Sequence, residues 1–412
     1  MPNLISNHLI LVNVCSDEEF NFFRRFLNAG SILGYRFVFL TYRYHVYTYA
    51  KKCLKADAEV FYLTDEFCRK DNEEKNLNLD LDLECLTNSI SLKGAYKCYN
   101  AAMAFFETLN KSEIDYIWCW NGYKIIDHAL KDFAKRNCIK TLYFEIANIK
   151  GKLFVDSKGT NCRSYLYLHK EILNKIPLKT DEYLVWRNKY IAEKFQQTTI
   201  PQAKKIRLLQ YIQNYTLDFI GYMIHNGIVQ RKIPIRRTFK RFHGMPCDLI
   251  KEDIRKINYI FFPLQVSTDT QVLINGNITV LNAVKKALDY ARNHNFYLVI
   301  KPHPAEKNPL YFEKLESVLS NYNRTLITNE NTFKLIKYAQ ETFTINSTVG
   351  LEAKILNRPV HVFGKALYEN FTQDDISRYV MGYLLNIDYW GTDNISIENF
   401  KKVLERTDLK VD

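Results

Sequence analysis

The segment Lys301-Pro302-His303-Pro304 places a titratable imidazole between two rigid residues, directly after the apolar run Phe296–Ile300. Each proline fixes its own φ and restricts the residue before it, so we expect a stiff backbone and a defined direction for the imidazole. A histidine held in this way can bind a phosphate or a ribose oxygen. For this segment taken alone, a turn histidine without a ligand is the alternative.

A second polar segment, Asn346-Ser347-Thr348, separates a strand-like run from a helix-like stretch that includes Glu352. Backbone N–H groups at a helix N-terminus, with two hydroxyls beside them, form a phosphate cradle that needs no lysine. A simple helix N-cap is the alternative. Because this segment and the histidine segment follow strands of the same predicted sheet, we favour a shared ligand site.

Polar residues also follow the apolar run Tyr259–Leu264, where Gln265 and Asp269 open the C-terminal half. A carboxylate at such a strand end can attack an anomeric carbon or hold an acceptor hydroxyl. The alternative for Asp269 is an Asx turn or a helix cap.

The N-terminal half offers polar strand ends of its own. Glu145 follows the run Thr141–Phe144, and a strand-end carboxylate can act as general acid or base when burial raises its pKa. We expect Asn121, Asp156 and Asn161, all in turn-like sequence, to lie on the acceptor side of the same cleft. For Asn121, an ordinary turn is the alternative.

These residues need a scaffold of strands that alternate with helices, and the sequence predicts one twice. The strand-like runs are His8–Val14, Tyr35–Leu40, Val60–Leu63, Tyr116–Trp120 and Thr141–Phe144, then Tyr259–Leu264, Phe296–Lys301, Thr325–Ile327, Thr342–Ile345 and Val360–Phe363. Stretches with helical periodicity separate them. This order predicts an α/β fold of two Rossmann-like domains with mostly parallel sheets, which bind ligands at their carboxyl edges.

The length of 412 residues suits two cores and a connecting segment. We predict an acceptor-side domain over residues 1–165, a mostly helical basic bridge over 166–256, a donor-binding domain over 257–370 and C-terminal helices over 371–412. The bridge contains the basic residues Arg231, Lys232, Arg236, Arg237, Lys240 and Arg241. A solvated basic face and a surface for an anionic membrane or acceptor are the two interpretations of this cluster.

Composition narrows the class of partner. The net charge of +12 suits an anionic partner, but the basic residues form no recognised nucleic-acid-binding pattern, so nucleic acid is disfavoured. The nine cysteines occur at no zinc-type spacing and favour a reducing compartment. The sequence opens with no signal-peptide pattern and contains no apolar run of roughly 18 residues. We therefore expect a cytoplasmic protein, either soluble or peripheral at the inner face of the cytoplasmic membrane.

Taken in order, the motifs F-E, D-x-x-G-x-N, L-Q-V-x-x-D-x-Q, V-I-K-P-H-P and T-I-N-S-T-x-G-x-E-A resemble those of bacterial capsule polysaccharide biosynthesis proteins. That family includes transferases of 3-deoxy-D-manno-octulosonic acid (Kdo). The likeness is densest from Phe261 to Tyr368. It implies a GT-B-type fold, a CMP-β-Kdo donor in the C-terminal half, transfer with retention of configuration, and a lipid or lipid-linked glycan acceptor.

The resemblance also implies roles for individual residues. Asp269 becomes the candidate nucleophile and Glu145 its acid/base partner, while His303 would contact the CMP. The phosphate would lie at Ser347 and Thr348, and the donor-binding set is completed by Gln265, Lys301, Asn346 and Glu352. The family's turn after the F-E pair usually carries a glycine and then a proline, which Ile146–Gly151 replaces here.

We expect no metal ion or other cofactor. A nucleoside monophosphate leaves with fewer charges than a diphosphate, and Lys301, His303 and helix amides can neutralise it. The D-x-D spelling at Asp80-Leu81-Asp82 lies in an acidic stretch that we interpret as solvated surface.

Two other functions stay open. An inverting sialyltransferase that uses CMP-sialic acid would employ Glu145 as general base and Asp269 to bind the acceptor. A non-catalytic component of a polysaccharide assembly or export complex would use the basic bridge as its interface.

Overall fold

The computed structural model describes residues 8–54, 58–67, 78–196, 208–228, 254–267, 269–306 and 308–411. They form two compact units. Unit 1 collects described residues within 1–172, 206–235 and 384–412, and unit 2 those within 173–205 and 236–383. The segment 166–256 is thus divided between the units, and the basic cluster predicted within it lies outside the described residues.

Eleven strands are found in the described residues. They are β1 (His8–Asn13), β2 (Tyr35–Thr41), β3 (Ala58–Tyr62), β4 (Ile114–Trp120), β5 (Lys140–Ile146), β6 (Leu153–Asp156), β7 (Tyr259–Pro263), β8 (Tyr297–Lys301), β9 (Thr325–Ile327), β10 (Glu341–Thr344) and β11 (Val360–Val362). Ten of them overlap the strand-like runs of the sequence; β6 was not predicted, and it ends at Asp156, where the expected turn begins.

The α-helices of the described residues alternate with these strands. They are α1 (Asp17–Phe23), α2 (Leu27–Ile32), α3 (Tyr44–Cys53), α4 (Leu83–Leu86), α5 (Leu92–Glu107), α6 (Ile125–Asn137), α7 (Tyr165–Leu168), α8 (Thr180–Gln196), α9 (Leu208–Ile224), α10 (Thr270–Asn275), α11 (Val280–Asn293), α12 (Pro309–Leu319), α13 (Thr332–Tyr338), α14 (Thr348–Ile355), α15 (Gln373–Arg378) and α16 (Ile397–Leu404). Short 3-10 turns and one π turn at Tyr379–Tyr383 join some of them. Among the described residues, no helix has the length and apolar character needed to span a bilayer.

Unit 1 is built on a six-stranded sheet in the order β3-β2-β1-β4-β5-β6. All neighbouring strands are parallel except β5 and β6, which form an antiparallel hairpin. Leu9 and Leu11 of β1 pack into the core on one face of the sheet, and Ile10 and Val12 pack into the core on the other. Successive side chains of a strand point to opposite faces, so this continuous apolar run produces a sheet buried on both sides.

Unit 2 is built on a five-stranded parallel sheet in the order β11-β10-β7-β8-β9. Helices again cover both faces, since Ile260 and Phe262 of β7 enter one core cluster while Tyr259 and Phe261 enter another. Two Rossmann-like α/β units in one chain are the components of the GT-B class. The predicted fold class is confirmed.

The segment predicted to hold C-terminal helices contributes to both units. Helix α15 belongs to unit 2, whereas α16 belongs to unit 1. Phe400 of α16 is fully buried and contacts the rings of Phe26 and Trp118. The end of the described chain therefore completes the core of the first sheet.

Candidate active site

The carboxyl edge of the unit 2 sheet brings together three of the predicted segments. From β7 the chain adds β8 and β9 on one side and then β10 and β11 on the other, so the order of strands reverses between β7 and β10. Doubly wound sheets bind ligands at such a switch point. The loops that leave β10, β7 and β8 carry the predicted donor-binding residues.

Gln265 and Asn346 join two of these loops across the switch point. The Gln265 Nε2 group donates to Asn346 Oδ1 at 2.9 Å, and the Asn346 backbone N–H donates to Gln265 Oε1 at 3.2 Å. Asn346 Nδ2 also donates to the Gln271 carbonyl oxygen at 2.9 Å. Because these hydrogen bonds engage the amide groups of both side chains, Gln265 and Asn346 hold the loops after β7 and β10 in position.

The first turn of α14 has a Ser347 N-cap, whose Oγ accepts a hydrogen bond from the Val349 N–H at 3.3 Å. Thr348 is exposed at the first helical position. The Tyr368 hydroxyl donates to the Ser347 carbonyl oxygen, and its ring lies so close to Gly350 that a Cβ there would collide with it. Tyr368 thus fixes a helix N-terminus whose dipole and Thr348 hydroxyl favour an anion.

The structure specifies the tautomer of His303. Its Nδ1 accepts the Ala305 N–H at 3.2 Å, so the neutral ring carries its proton on Nε2. Burial lowers the pKa of His303, although the nearby Asp269 and Glu306 carboxylates act in the opposite direction. His303 therefore supplies a neutral N–H donor at pH 7 and not a positive charge.

Lys301 turns towards the loop after β9. Its Nζ donates to the Glu330 carbonyl oxygen at 2.8 Å and to Thr332 Oγ1 at 2.9 Å, and burial lowers its pKa. An ammonium group has three hydrogens, so these two bonds leave one for a ligand. Lys301 therefore mainly stabilises the loop that follows β9.

Asp269 is the N-cap of α10. Its Oδ1 accepts the Gln271 N–H at 2.7 Å, which is the helix-cap geometry named as its alternative. Within the part of the chain that the structure describes, Oδ2 accepts no hydrogen bond. Capping therefore fixes the orientation of the carboxylate and leaves one oxygen for chemistry.

Glu306 was missed by the sequence interpretation. Its Oε2 accepts the Ser267 N–H at 2.7 Å and its Oε1 accepts the Asn308 N–H at 3.0 Å, while its own N–H donates to the His303 carbonyl oxygen at 3.0 Å. This buried carboxylate ties the histidine loop to the loop that carries Asp269. No sequence motif identifies Glu306, because its partner Ser267 lies 39 residues away.

Glu352 has a different role from the one expected. Its Oε1 accepts hydrogen bonds from Lys194 Nζ at 2.7 Å and from the Tyr190 hydroxyl at 3.2 Å, both on α8. The side chain is buried in that contact. It joins α14 to α8, so the charge of Glu352 is balanced within unit 2 without a ligand.

Among the unit 1 residues, Glu145 lies inside β5 and not at a strand end. It is paired with Phe154 of β6 in the antiparallel hairpin and is half-buried. The strand continues past Glu145 because β6, which the sequence interpretation missed, extends the pairing. Its role as acid/base partner of Asp269 stays a prediction.

Asp156 organises the loop that follows β6. Its Oδ1 accepts backbone N–H groups from Lys158, Gly159 and Tyr165 at 2.8, 3.2 and 2.8 Å, and its Oδ2 accepts that of Leu166 at 3.1 Å. The residue is 1% exposed. A carboxylate saturated in this way stabilises the loop and offers no oxygen to an acceptor.

Asn121 and Asn161 do lie in neighbouring loops of unit 1. Thr160 Oγ1 donates to the Asn121 carbonyl oxygen at 3.1 Å, and the Tyr123 hydroxyl donates to the Thr160 carbonyl oxygen at 3.2 Å. Both asparagines have positive φ, of 50° and 53°, which asparagine tolerates better than most residues. The two turns are therefore held together, and their place on the acceptor side stays a prediction.

A buried ionic network occupies the switch point of unit 1, between β1 and β4. Lys124 Nζ lies 2.6 Å from Glu19 Oε1, and Asn13 Nδ2 donates to Asp127 Oδ1 at 2.7 Å. Burial raises the pKa of Asp127 to about 7; Lys124 and Asn13 oppose this shift, while Glu19 and Glu84 add to it. None of these residues was singled out from the sequence.

The aspartates of the D-x-D spelling are also placed differently from the expectation. Asp80 is exposed, but Asp82 is buried, and both of its carboxylate oxygens lie within 3.3 Å of His128 Nδ1. Asp82 is thus part of the core edge and not solvated surface.

Comparison with known proteins places the chain in a family. Residues 122–374 match the model of the capsule polysaccharide biosynthesis protein family, and the chain belongs to that family. The resemblance drawn from its motifs is confirmed.

Individual relatives are more distant. The capsule polysaccharide export protein KpsS of Escherichia coli is 23% identical over 282 residues, which cover 62% of this chain and 69% of KpsS. The beta Kdo 2,7 transferase of Thermosulfurimonas dismutans KpsC is 17% identical, covers 71% of this chain and 85% of its own, and superposes with a TM-score of 0.39. The beta Kdo 2,4 transferase of the same KpsC has a TM-score of 0.40 at 13% identity, with 72% of this chain and 88% of its own covered.

Proposed function

We propose that the chain is a glycosyltransferase of capsule polysaccharide synthesis that moves an acidic sugar from a CMP-activated donor to a lipid or lipid-linked glycan. Kdo is the proposed sugar. One observation carries the proposal: three adjacent loops at the carboxyl edge of unit 2 present ligand-capable groups. Among the described residues, the Thr348 hydroxyl and Asp269 Oδ2 have no internal hydrogen-bond partner, and His303 keeps its proton on Nε2.

The CMP phosphate is assigned to the N-terminus of α14, where the helix dipole and the hydroxyls of Ser347 and Thr348 favour negative charge. His303 donates from Nε2 to a CMP oxygen. These are neutral donors, and neutral donors suit a monophosphate leaving group because its charge is modest. The expectation that no metal takes part stays a prediction.

In the proposed reaction, Asp269 Oδ2 attacks the anomeric carbon of the sugar, and the bond from that carbon to the CMP phosphate oxygen breaks. The electron pair leaves with CMP. The acceptor hydroxyl then displaces Asp269 from the same carbon, and its proton passes to a base, for which Glu145 is the candidate. Two displacements at one carbon retain its configuration. The inverting alternative uses Glu145 as base in a single displacement and Asp269 to bind the acceptor.

A donor screen with CMP-Kdo, CMP-sialic acids and UDP-sugars tests the proposal. We expect turnover with CMP-Kdo alone, a β-linked product, and a sugar adduct on Asp269 in the mass spectrum of the quenched enzyme. Turnover of UDP-sugars would contradict the donor class. A product of inverted configuration would contradict the double displacement and favour the sialyltransferase type of chemistry.

The name of the E. coli relative, an export protein, favours a second candidate, a non-catalytic component of an assembly or export complex. Substitution in cells separates the two. The assembly role would use the basic bridge, whose basic cluster lies within 229–253. If the single variants Asp269→Ala and His303→Ala leave capsule production intact while deletion of 229–253 abolishes it, the assembly role is correct. Loss of capsule with the two point variants supports the transferase.

A further inference from the structure

Helix α9 of unit 1 has an apolar face turned to solvent. Its large apolar side chains at Leu209, Ile212, Phe219, Met223 and Ile224 are between 44% and 83% exposed. The first four recur at intervals of three, seven and four residues, which places them along one side of a helix. The exposed side is therefore an apolar stripe, interrupted by the exposed Thr216, which we call the α9 stripe.

The opposite side of α9 holds the helix to unit 1 through polar and small residues. Asp218, the one charged residue of α9, accepts hydrogen bonds from the backbone N–H of His45 at 3.2 Å and from Arg43 Nη1 at 3.4 Å, and lies 2.7 Å from His45 Nδ1. Gly221 packs so closely on Tyr44 that a Cβ would not fit. A surface helix of a globular protein normally buries its apolar side and exposes its charges. Helix α9 does the reverse.

The end of α9 is fixed as well. Gly227 forms an antiparallel bridge with Thr64, and the Asp65 N–H donates to the Asn226 carbonyl oxygen at 2.8 Å. The orientation of the α9 stripe is therefore set by contacts within unit 1 at both its middle and its end. An apolar face held outwards in this way fits an apolar partner.

We propose that the α9 stripe docks onto an anionic lipid bilayer, with the helix lying in the plane of the interface. The sequence supplies complementary charge on both sides: Lys204, Lys205 and Arg207 precede Leu208, and Arg231 and Lys232 follow Ile228 by three and four residues. Basic residues beside a buried apolar face are the arrangement that binds anionic lipid.

Charge also decides against a second copy of the chain as the occupant. A two-fold contact through the α9 stripe would bring two copies of a helix with basic sequence before and after it into one interface, and like charges repel. An anionic surface is attracted by those charges instead. This inference does not depend on the proposed glycosyl transfer, since it uses no residue of the candidate active site.

Vesicle sedimentation with the full chain tests the proposal. We expect binding to vesicles of phosphatidylcholine that contain phosphatidylglycerol, and weak binding to phosphatidylcholine alone or in high salt. The double variant Phe219→Gln, Met223→Gln should lower the partition coefficient by at least about tenfold, because two apolar side chains no longer enter the lipid. The matched control is Ile32→Gln, an apolar residue that is 61% exposed on α2 of the same unit, and it should bind as the unaltered chain does.

Unchanged binding in the double variant would overturn the proposal. A dimer that light scattering detects in the unaltered chain and not in the variant, without any binding to anionic vesicles, would also overturn it and assign the stripe to a second copy. Far-UV circular dichroism and thermal melting establish that each variant is folded. Should the double variant fail to fold, the single variant Ile212→Gln on the same stripe repeats the test, with weaker vesicle binding expected and equal binding contradictory.

Discussion

The two units have the same kind of sheet edge and use it in different ways. In unit 1, the switch point between β1 and β4 is filled by side chains of the unit itself: Lys124 pairs with Glu19, and Asn13 with Asp127. All four are buried. Their charges and hydrogen bonds are directed at one another, so the unit's own side chains fill this switch point.

In unit 2, the switch point between β7 and β10 is crossed by Gln265 and Asn346, which are uncharged and fix the loops. Around them, His303 Nε2, the Thr348 hydroxyl and Asp269 Oδ2 have no hydrogen-bond partner in the described chain. Both units have a switch point where a ligand can bind, and we assign the donor to unit 2 because its switch point is not filled by charged side chains of the unit itself. The predictions that follow test this contrast.

The largest effect is expected from Asp269→Asn. Asparagine keeps the α10 cap, because its carbonyl oxygen can accept the Gln271 N–H, but it cannot attack the sugar. Turnover should fall by at least about a thousandfold while CMP affinity changes by less than about threefold. Product assays and calorimetry with CMP measure both, and a comparable loss of CMP affinity would show that Asp269 belongs to donor binding.

In unit 1, Lys124→Met should destabilise the fold by about 3–5 kcal/mol, since it leaves Glu19 buried without a counter-charge. Urea denaturation measures the change in the free energy of unfolding. The control Lys97→Met breaks an ion pair with Asp65 whose side chains are 41% and 39% exposed, and should cost less than about 1 kcal/mol. Equal losses in the two variants would mean that the network does not stabilise unit 1.

The two edges should also differ in the sign of their pH dependence. Asp127 has a pKa of about 7 when folded and about 3.9 when unfolded, so the stability that its protonated form contributes is lost as pH rises towards 7. Relative to the unaltered chain, Asp127→Asn should therefore become more stable by about 1–2 kcal/mol between pH 5 and pH 7. Denaturation at several pH values measures this, and a constant difference would contradict the shift.

His303 supplies the opposite case in unit 2. Its pKa is lowered by burial, so its contribution to stability is present above about pH 6.5 and is lost as pH falls further. His303→Gln should gain relative stability towards acid pH in the same experiment. A gain towards alkaline pH would show that the ring is charged in the folded protein.

The smallest effect is expected from Ser347→Ala, which removes the α14 cap and a hydroxyl of the proposed phosphate site. CMP affinity should fall by roughly threefold to tenfold, with less change in turnover. Ser396→Ala is the matched control, because Ser396 caps α16 in unit 1 by accepting the Asn399 N–H at 3.2 Å. Both variants lose about 1 kcal/mol of helix stability. Equal CMP affinities in the two variants would show that Ser347 is not part of the donor site.

Local sequence predicted the strands of both sheets and the position of the loops that carry Gln265, His303 and Ser347. Apolar runs end where strands end, and the polar residues that follow must lie at the carboxyl edge of a parallel sheet. Strand β6 was missed because it is an antiparallel hairpin partner of β5, whereas the sequence predicted strands from their alternation with helices, and Glu145 was misplaced with it.

Contacts between distant residues could not be predicted in the same way. Lys124 and Glu19 are 105 positions apart, and Lys194 meets Glu352 across 158. Hydrophobic periodicity shows which side of an element is buried, but it does not show which buried charges meet. Only the folded structure brings those partners together, which is why the ionic network at the switch point of unit 1 was not predicted.

A crystal structure of the chain soaked with CMP is the most direct test of the account. We expect the phosphate at the N-terminus of α14, within hydrogen-bond distance of Thr348, and His303 Nε2 in contact with the nucleotide. Nucleotide found at the carboxyl edge of β1 and β4, beside Lys124 and Asp127, would contradict the assignment of the donor to unit 2.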